Sequence, residues 1–386
     1  MITDHNAHGL LRQLAWNLQG AREEGTRGGR VRVAHGPVVA CLTEPRNRMH
    51  CLPDRGGNPW VSLAEFPWLM AGRNDLAWLG HYLPRAGNFS DDYGATWRAG
   101  YGPRLRAWGG YVDQISEAVH KLRTNPDTRQ AVVSLWDPET DNIAGSKDYP
   151  CTLALHFQRQ GGKLDLTAMM RSNDLIWGFS GVNLVNFTLL LEAVAIMSDI
   201  PIGRYYHVAS NLHVYEQHWG QVRSMGIGTG TEVPNPYMTL TPSGGLTMQL
   251  LRTAATAPFE EACEQALQWL TDQHGNDDPQ VLVPPERLGL HPSHWLLQWM
   301  GFMRLHEILN GPPGDDPALL VAHSLAATPD PTWRLSLAIW AVKALADWHI
   351  TTGQWKELLR NNLPAIPSEL RRDMWIDSLL ARRLRG

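Results

Sequence analysis

Cys151 and Arg171 are the residues of this sequence whose types and spacing most clearly indicate chemistry. Cys151 follows Pro150, and Arg171 lies twenty residues further along the chain. A cysteine thiolate is a good nucleophile for a covalent intermediate, and a nearby guanidinium lowers the pKa of a thiol. Arginine also binds phosphate through paired hydrogen bonds. A lone cysteine is more often a small buried hydrophobe, so this interpretation depends on the surrounding pattern.

The segment between these two residues predicts a β-hairpin. Apolar and polar residues alternate over 152–158 and again over 163–170, and Gly161 and Gly162 between them predict a tight turn. A hairpin brings its two ends together. We therefore expect Arg171 to lie close to Cys151.

The rest of the chain predicts a mixed α/β region followed by helices. A loop entering a strand is predicted over 22–36, a buried helix over 61–72 despite its Pro67, and a buried central helix over 182–198. The remaining predictions are a Gly- and Asp-rich loop at 84–104, a helix near 109–123, and strands at 131–136 and 202–214. Further helices are expected near 257–273, 293–310, 331–348 and 366–385. We predict a catalytic domain over 1–250 and a helical C-terminal extension of unknown role over 251–386.

Composition excludes several classes of protein. The formal net charge of −4 gives no basic field for nucleic acid, so a nucleic-acid partner is not expected. The four cysteines form no CxxC pair and the 16 histidines show no HExxH spacing, so we expect no metal and a reducing, cytoplasmic compartment. The polar N-terminus lacks the apolar core of a signal peptide, and we expect no membrane span.

Residues 149–178 (YPCTLALHFQRQGGKLDLTAMMRSNDLIWG) resemble the active-site hairpin of thymidylate synthases, in which a Pro-Cys pair opens one strand and an Arg-Ser-x-Asp motif ends the next. Further similarities occur in the family's order at 64–72, 101–108, 126–136 and 207–218. Over roughly residues 20–240 the chain is therefore identified as a member of the thymidylate synthase superfamily. The resemblance implies an α/β (α+β) mixed-sheet core, a homodimer with shared sites, and 5,10-methylenetetrahydrofolate as co-substrate.

The resemblance also implies catalytic roles. Cys151 would add to carbon 6 of a pyrimidine nucleoside monophosphate and so make carbon 5 a nucleophile for the folate methylene group. Glu65, helped by Tyr101, would organise water and move protons at the base. The apolar flanks of Glu65 support this role, because burial raises the pKa of a carboxyl group. Arg171 would bind the phosphate beside Cys151.

Binding roles follow in the same way. Ser172 would also bind the phosphate, and Arg129 would reach the phosphate bound in the partner subunit. Asn183 would recognise the pyrimidine edge, because an amide donates and accepts hydrogen bonds at once. The other implied contacts are His213 and Tyr215 to the sugar hydroxyl, and Asp174 and Gly178 to the folate.

The sequence departs from the family pattern in several places. Gln130 replaces a second arginine, and GFSGVN (178–183) is one residue longer than the synthase's Gly-Leu-Pro-Phe-Asn. The tryptophans on the folate side have no counterpart in RAGNFSDD (85–92), and the extension replaces the short C-terminus that closes over folate. The first phosphate arginine should lie in 27–32, where Arg27, Arg30 and Arg32 remain alternatives.

These departures touch the side of the site that protects the one-carbon intermediate from water. Hydride from folate gives a methyl group at carbon 5, whereas water gives a hydroxymethyl group, and a less closed site favours water. We therefore favour hydroxymethylation of dUMP or a related nucleotide. Reductive methylation of dUMP, or hydroxymethylation of dCMP or CMP, is the alternative. A non-catalytic relative that binds nucleotide or RNA is a different class, and the retained nucleophile disfavours it.

Overall fold

A computed structural model describes residues 1–50, 52–226, 259–275, 295–328, 330–364 and 369–383. The strands, in chain order, are β1 (Ile2–Asp4), β2 (Arg22–Thr26), β3 (Gly29–Val33), β4 (Val38–Leu42), β5 (Val132–Ser134), β6 (Thr152–Gln160), β7 (Lys163–Met170), β8 (Asn173–Asp174), β9 (Ile202–Ala209) and β10 (Leu212–Tyr215). The first α-helices are α1 (Ala7–Gln19), α2 (Pro59–Met70), α3 (Leu76–Tyr82), α4 (Tyr101–Arg106), α5 (Gln114–Thr124), α6 (Pro138–Asp141), α7 (Leu184–Ser198) and α8 (Trp219–Met225). The extension contributes α9 (Phe259–Asp272), α10 (Trp295–Asn310), α11 (Pro317–Ala326), α12 (Pro331–Ala344), α13 (Thr352–Asn362) and α14 (Glu369–Arg383).

The main sheet has six strands in the order β1-β4-β9-β7-β6-β5 and mixes both strand directions. The β7–β9 and β1–β4 pairs are parallel, and the other pairs are antiparallel. Helices α1, α5 and α7 cover one face. Alternate residues point into that face and are buried, as the period of two in a strand requires; they include Leu155, Phe157, Leu166, Ala168, Tyr205 and His207. The predicted mixed-sheet core is confirmed.

The β6–β7 hairpin forms at the predicted place. Gly161 and Gly162 have φ angles of 57° and 81°, which L-residues with side chains adopt reluctantly and which a two-residue hairpin turn requires. The register pairs Gln160 with Lys163 at the turn and Thr152 with Met170 at the open end. Cys151 and Arg171 therefore flank the same end of the hairpin, as expected from the sequence.

A second sheet of four strands, in the order β2-β3-β10-β8, lies beside the open end of that hairpin. Two predictions were wrong here. Residues 22–36 form the β2–β3 hairpin rather than a loop entering one strand, because Arg22–Thr26 is itself a strand that pairs along its length with Gly29–Val33. Residues 202–214 form two strands rather than one, and these strands belong to different sheets: β9 pairs with β4 and β7, and β10 pairs with β3 and β8.

The predicted central helix is longer than expected and begins with a different geometry. A π-helix spans Leu175–Asn183 and leads directly into α7. A π-helical turn holds one residue more than an α-helical turn, which matches the extra residue of GFSGVN. Leu175–Ser198 also has the length and hydropathy of a membrane span, contrary to expectation. Its most apolar window is 94% buried inside the fold, however, which is typical of a core helix.

Helix α2 links the sheet region to the extension. Pro67 interrupts its hydrogen bonding, because proline has no N–H to donate to the carbonyl of Leu63. The indole Nε1 of Trp299 on α10 donates to that carbonyl at 2.9 Å instead. In return, Trp60 Nε1 on α2 donates to the Phe302 carbonyl at 2.9 Å. Each helix therefore donates an indole N–H to a backbone carbonyl of the other.

Other boundaries differ in detail from those expected. The helix predicted near 109–123 begins at Gln114, since Trp108 and Val112 pair across a turn before it. The predicted loop 84–104 contains a 3-10 turn at Ala86–Phe89 and the start of α4. In the extension, α11 and α13 were missed, and α12 ends at Ala344. The predicted domain boundary near residue 250 lies outside the described residues, so the division into two domains stays a prediction.

Candidate active site

Cys151 lies immediately before β6, where Pro150 and a local break in the strand pairing set its position. The register shifts between Thr152 and Ala154, and a bulge of this kind is often found beside functional sites. The Tyr101 hydroxyl accepts a 3.0 Å hydrogen bond from the backbone N–H of Thr152. Cys151 is half-buried. The thiol is thus held at a strand end by contacts on both neighbouring residues.

Arg171 braces the same strand end from across the hairpin. Its backbone N–H donates to the Cys151 carbonyl at 2.9 Å. Its guanidinium donates from Nε to the Pro150 carbonyl at 2.9 Å and from a terminal nitrogen to the Tyr149 carbonyl at 3.3 Å. The guanidinium carbon lies 5.8 Å from the centre of the Trp136 ring. The Arg171 side chain therefore fixes the backbone just before Cys151 and brings a positive charge beside the thiol.

The expected lowering of the Cys151 pKa is wrong for this state of the protein. Burial raises the pKa of the thiol, and the nearby Asp148 and Asp174 carboxylates raise it further, while the charge of Arg171 acts in the opposite direction. Desolvation outweighs a single cation because it penalises the thiolate directly. The expected lowering took account of the Arg171 charge alone, whereas the burial of the thiol decides the direction. Cys151 consequently keeps its thiol proton at neutral pH, and this proton must leave before or as the sulfur attacks.

Tyr101 lies against the same thiol. Burial and the adjacent Cys151 raise the pKa of its phenol well above the ordinary value, so the hydroxyl keeps its proton. Its ring stacks on Phe187 of α7 with the centroids 6.3 Å apart. Because the hydroxyl accepts from Thr152 N–H, its own proton remains available to a group bound above Cys151.

Glu65 is buried in α2 and pairs with a residue that sequence analysis missed. Asn186 Nδ2 donates to Glu65 Oε2 at 2.6 Å. Burial raises the pKa of Glu65 to about 7, and the hydrogen bond from Asn186 opposes this shift. A carboxyl group with such a pKa can both accept and donate a proton near neutral pH. Asn186 lies one turn from Asn183 and next to Phe187, so Glu65, Asn183 and Tyr101 face one end of α7.

Asn183 ends the π-helix and belongs to a buried chain of four polar side chains. Asn173 Nδ2 donates to Asn183 Oδ1 at 2.8 Å. Asn173 Oδ1 lies 3.1 Å from His207 Nε2, and His207 Nδ1 lies 2.8 Å from the Tyr205 hydroxyl. All four side chains are at most 9% exposed. Asn173 and His207 were not assigned from the sequence, although both occur in motifs that carried the resemblance.

Gly178, expected on the folate side, is required for another reason in this structure. A Cβ atom at this position would lie 2.6 Å from Asn173 Nδ2 and 3.1 Å from Asn183 Oδ1. The first distance is shorter than any normal van der Waals contact. Only glycine therefore allows the chain to pass the Asn173–Asn183 pair without displacing it.

Asp174 and His213 face each other across the small sheet. They are register partners in the parallel β8–β10 pair. Asp174 Oδ1 accepts from Trp177 N–H, and Asp174 Oδ2 is buried without a hydrogen-bond partner among the residues described. His213 Nδ1 lies 2.9 Å from Asn211 Oδ1, and burial lowers the pKa of its imidazole. An unpartnered buried carboxylate oxygen can accept an N–H group from a ligand.

Tyr215 and the β2–β3 turn close the other side of the site. A Cβ on Gly28 would lie 2.8 Å from the Tyr215 hydroxyl, so the turn passes directly over the phenol. Burial raises the pKa of that phenol, and Asp174 and Cys151 add to the effect. Tyr215 is thus within electrostatic reach of both the thiol and Asp174, as the predicted constellation requires.

The three candidate phosphate arginines are in different environments. Arg30 forms ion pairs with Glu23 and Glu216, and Arg32 pairs with Glu23. Arg27, at the tip of the turn, donates to the Ser146 carbonyl at 3.1 Å, and its guanidinium carbon lies 6.0 Å from the Tyr149 ring centre. Tyr149 is two residues from Cys151. The geometry favours Arg27, because the other two cations are already neutralised by carboxylates.

Ser172 and Arg129 complete the predicted set. Ser172 is half-buried beside Arg171. Arg129 is exposed and lies at the opposite end of β6, because Val132 pairs with His156 and the nearby Asp127 bonds Arg159. At about 3.3 Å per residue that end of the strand is roughly 26 Å from Cys151. Arg129 therefore does not join the site of its own chain.

One group of described side chains, on or beside α3 and α10, has the composition of a metal site. Ligand atoms of His81, His274 and Glu307 lie within 4.8 Å of one another. The Glu307 carboxylate accepts hydrogen bonds from Gly275 N–H at 2.9 Å and from His81, and His306 Nδ1 lies 3.2 Å from it. These bonds join α3 to α10. The expectation of no metal stays a prediction.

Comparison with known proteins agrees with this geometry. Residues 47–245, about half of the chain, match the family profile described as thymidylate synthase. The chain is 30% identical over 351 residues to the deoxyuridylate hydroxymethyltransferase of Pseudomonas phage M6, which covers 88% of this chain and 93% of the phage protein. It is 40% identical over 204 residues to the Bacillus phage SP01 protein of the same name. It is 31% identical over 205 residues to the one from Delftia phage PhiW-14.

Coverage differs among these relatives. The alignments cover 50% of this chain in the SP01 and PhiW-14 cases, and 53% and 56% of those two proteins. The chain thus spans about half the length of two relatives and nearly all of the M6 protein. The family match lies on the segment that contains Glu65, Cys151 and Asn183. The chain belongs to the thymidylate synthase family.

Proposed function

We propose that this enzyme transfers a one-carbon unit from 5,10-methylenetetrahydrofolate to carbon 5 of dUMP and releases 5-hydroxymethyl-dUMP. The observation that carries the proposal is the convergence of Cys151, Tyr101, Glu65 and Asn183 around one end of α7. The names of its relatives, deoxyuridylate hydroxymethyltransferases, support the same reaction.

Besides dUMP and methylenetetrahydrofolate, the reaction needs only water. The Cys151 thiolate bonds to carbon 6 of uracil, and the electron pair displaced to carbon 5 bonds to the folate methylene group. Loss of the carbon 5 proton and cleavage of the bond to the folate nitrogen release tetrahydrofolate and leave an exocyclic methylene. Water adds to this methylene, and expulsion of the thiolate restores the ring double bond. No oxidation or reduction takes place.

Glu65 and Tyr101 are suited to the proton movements in this sequence. Glu65 is close to half ionised at neutral pH, so it can organise and deprotonate a water molecule and return the proton later. Tyr101 keeps its proton and lies beside Cys151, which allows it to donate a hydrogen bond to the base. The Cys151 proton would pass through bound water to the Glu65 carboxylate as the sulfur bonds to carbon 6 of the nucleotide.

The phosphate would be bound by cations around the hairpin end. Arg171 has one terminal nitrogen without a bond to the Tyr149 or Pro150 carbonyl, and Ser172 follows it in the chain. Arg27 reaches the same region through Ser146 and Tyr149. His213 and Tyr215 would bind the sugar hydroxyl from β10. Planar guanidinium groups bind phosphate oxygens in pairs, which fixes the orientation of the nucleotide as well as its charge.

The folate would lie against Asp174. Its buried Oδ2 needs a donor, and the pterin ring of a folate offers N–H groups of the required kind. Asp174 lies in the segment that matches the family and not in the extension. The described extension helices pack behind α2 through Trp60 and Trp299, on the side away from Asn186. This position supports a site that the described helices of the extension leave open to water.

The protein would act as a homodimer formed through the face of the main sheet that none of the described helices covers. Val132, Met169 and Leu153 are 47%, 40% and 36% exposed on that face, an unusual environment for apolar strand residues. Dimerisation through this face would bury them. It would also carry Arg129 towards the site of the other subunit, since its own site is roughly 26 Å away.

Two further features concern the cell compartment of the enzyme and its partners. Cys41, Cys151 and Cys263 are free thiols, which supports a reducing compartment, and we place the enzyme in the cytoplasm. The net charge of −4 gives no support for a nucleic-acid partner.

The test is product analysis with purified protein. Incubation with dUMP and methylenetetrahydrofolate should give 5-hydroxymethyl-dUMP by mass spectrometry, without the near-ultraviolet absorbance rise that accompanies dihydrofolate formation. Cys151→Ser should give no product while still binding dUMP. Parallel incubations with dCMP, UMP and CMP measure the base and sugar preference. A methylated product with a stoichiometric absorbance rise would instead identify reductive methylation and overturn the proposal.

A further inference from the structure

The buried chain of side chains that ends at Asn183 is unusual because all of its members are polar and none is more than 9% exposed. It consists of Tyr205, His207, Asn173 and Asn183, which we name the Asn183 relay. Three contacts of 2.8, 3.1 and 2.8 Å link these side chains in order. Tyr205 and His207 lie on β9, Asn173 lies on β8, and Asn183 lies at the start of α7. The relay therefore connects both sheets to the residue that would meet the base.

The direction of the hydrogen bonds in the relay follows from its closed end. Tyr205 is fully buried, and among the described residues its hydroxyl is hydrogen-bonded to His207 Nδ1. Burial lowers the pKa of His207 to about 3, so the imidazole is neutral and has one donor and one acceptor nitrogen. If His207 donated to Tyr205, the phenol proton would be buried without an acceptor, which is costly. Tyr205 therefore donates to Nδ1.

Every later bond is fixed by this first one. Because Nδ1 of His207 accepts, its Nε2 carries the proton and donates to Asn173 Oδ1. Asn173 must then present its amide nitrogen to Asn183, and it donates to Asn183 Oδ1. Asn183 consequently points its Oδ1 towards the relay and leaves its Nδ2 donors for the substrate. The side-chain amide has one orientation, and the opposite orientation would reverse every bond back to Tyr205.

We propose that the Asn183 relay determines the base preference of this enzyme, by holding Asn183 in the orientation that reads uracil and excludes cytosine. The inference rests on the proposed function, because it assumes a pyrimidine nucleotide bound at Asn183. It adds Tyr205, His207 and Asn173 as positioning residues that do not contact the substrate themselves. The preference for one base over the other is thus determined by side chains that lie one to three contacts behind Asn183.

The two bases differ in the order of donors and acceptors along the edge that Asn183 would meet. Uracil offers the O4 acceptor followed by the N3–H donor, whereas cytosine offers an amino donor at carbon 4 followed by the N3 acceptor. Asn183 Nδ2 can donate to O4 while the second lone pair of Oδ1 accepts from N3–H. Cytosine needs the amide turned over. That orientation requires the reversed relay with the Tyr205 proton left unpaired, which should disfavour cytosine about tenfold or more.

The experiment compares dissociation constants for dUMP and dCMP in full-length wild-type and variant proteins by calorimetry. Tyr205→Phe removes the proton that sets the direction, so the ratio of the dCMP and dUMP constants should fall about tenfold towards one. Tyr206→Phe is the matched control, because Tyr206 is the next residue of β9, points to the opposite face and is half-buried. The control should keep the wild-type ratio. An unchanged ratio in Tyr205→Phe would overturn the proposal.

A second variant keeps the inference testable if Tyr205→Phe does not fold. Asn173→Asp is nearly isosteric, but an ionised carboxylate accepts from both His207 and Asn183 and donates to neither. Asn183 must then turn its Nδ2 towards residue 173 and its Oδ1 towards the base. The preference should move towards dCMP, and more so at higher pH as the carboxyl group ionises. A variant that still prefers dUMP at all pH values would contradict the relay.

Binding and turnover separate the two proposals. If wild-type protein prefers dUMP in binding but forms no product from it, the proposed reaction fails and the relay is judged on the variant ratios alone. If dUMP is turned over but the variants keep the wild-type ratio, the relay fails and the proposed reaction stands. A wild-type protein that binds dCMP as tightly as dUMP would also overturn the relay.

Discussion

Asn186 Nδ2 donates a 2.6 Å hydrogen bond to Oε2 of Glu65, a carboxyl group that is only 9% exposed. The two residues lie on different helices and are 121 positions apart in the chain. The bond opposes part of the desolvation of Glu65 without removing it, so the pKa of the carboxyl group is about 7. A single amide thus adjusts the titration of the proposed general acid/base.

Replacement of Glu65 by Gln should change how stability depends on pH. The pKa of Glu65 rises from 4.5 to about 7 on folding, so its contribution is fully present below pH 4.5 and is lost as pH rises through about 7. Gln cannot ionise and escapes this loss. Urea unfolding at about pH 5 and about pH 8 should show the variant gaining up to ~3 kcal/mol relative to wild type at the higher pH. A pH-independent difference would contradict the shift, and turnover should be lost at both pH values.

Removal of the amide should shift the same titration in the other direction. In Asn186→Ala the hydrogen bond that lowers the pKa of Glu65 is absent, so the pKa should rise further. The limb of the kcat pH profile that reports Glu65 should move to higher pH by up to about one unit, with reduced activity at neutral pH. Thr188→Ser is the control, since the Thr188 hydroxyl bonds the carbonyls of its own helix. A profile that does not move would argue against Glu65 as the titrating group.

Arg171 combines a charge with a geometric role, and a conservative variant separates the two. Arg171→Lys keeps the cation but cannot donate from a planar fork to both the Pro150 and Tyr149 carbonyls. Turnover should fall more than about tenfold, while the pH midpoint for alkylation of Cys151 changes little. Arg171→Met, which removes the charge, should raise that midpoint. Peptide-resolved mass spectrometry measures the alkylation. Equal midpoints in the Met and Lys variants would exclude the electrostatic part.

The proposed sharing of the site between two subunits predicts that two inactive variants restore each other. Arg129→Ala and Cys151→Ser should each have little activity alone. In a mixed dimer one site carries both substitutions and the other carries neither, so a re-equilibrated mixture should approach about a quarter of wild-type activity. Sedimentation tests for the proposed dimer, which Met169→Glu on the exposed sheet face should weaken. A mixture that stays inactive would contradict the contribution of Arg129 across the interface.

The bond from Trp299 to Leu63 predicts a specific coupling to Pro67. Trp299→Phe leaves the Leu63 carbonyl without a donor and should lower the free energy of unfolding by ~1–2 kcal/mol. In a Pro67→Ala background the new N–H can reach that carbonyl, so the same change should cost less. Trp78→Phe is the control, because Trp78 Nε1 donates to the Ala64 carbonyl at 2.9 Å and Trp68 still supplies a helical N–H there. Additive effects in the Pro67–Trp299 cycle would reject the coupling.

Sequence reasoning predicted the parts of the fold that local patterns determine. The β6–β7 hairpin follows from strict alternation and a Gly-Gly turn, and the family match confirms the superfamily assignment. The β9–β10 break was missed because Ser210 and Asn211 are a weak signal inside an otherwise strand-like run. In the site, Cys151, Arg171 and Tyr101 converge as expected.

The errors at the site have a common physical origin. Asn186 occurs in a helix that is apolar almost all round, where a single polar residue reads as an exception rather than as a partner for Glu65. The Cys151 thiol was judged from a neighbouring charge, whereas its burial decides the direction of the pKa shift. Asn173 and His207 gain importance only through contacts between β8 and β9. Each of these properties depends on three-dimensional packing and leaves no pattern along the chain.

The bonds between α2 and α10 also bear on how such a protein can change over generations. The Leu63 carbonyl, which Pro67 leaves without a helical donor, takes its hydrogen bond from Trp299, 236 positions further along the chain. Recombination that exchanges extensions between relatives would keep Pro67 but remove Trp299, unless the incoming extension also has a tryptophan at that place. We therefore expect recombinants that separate Pro67 from Trp299 to be less stable than their parents.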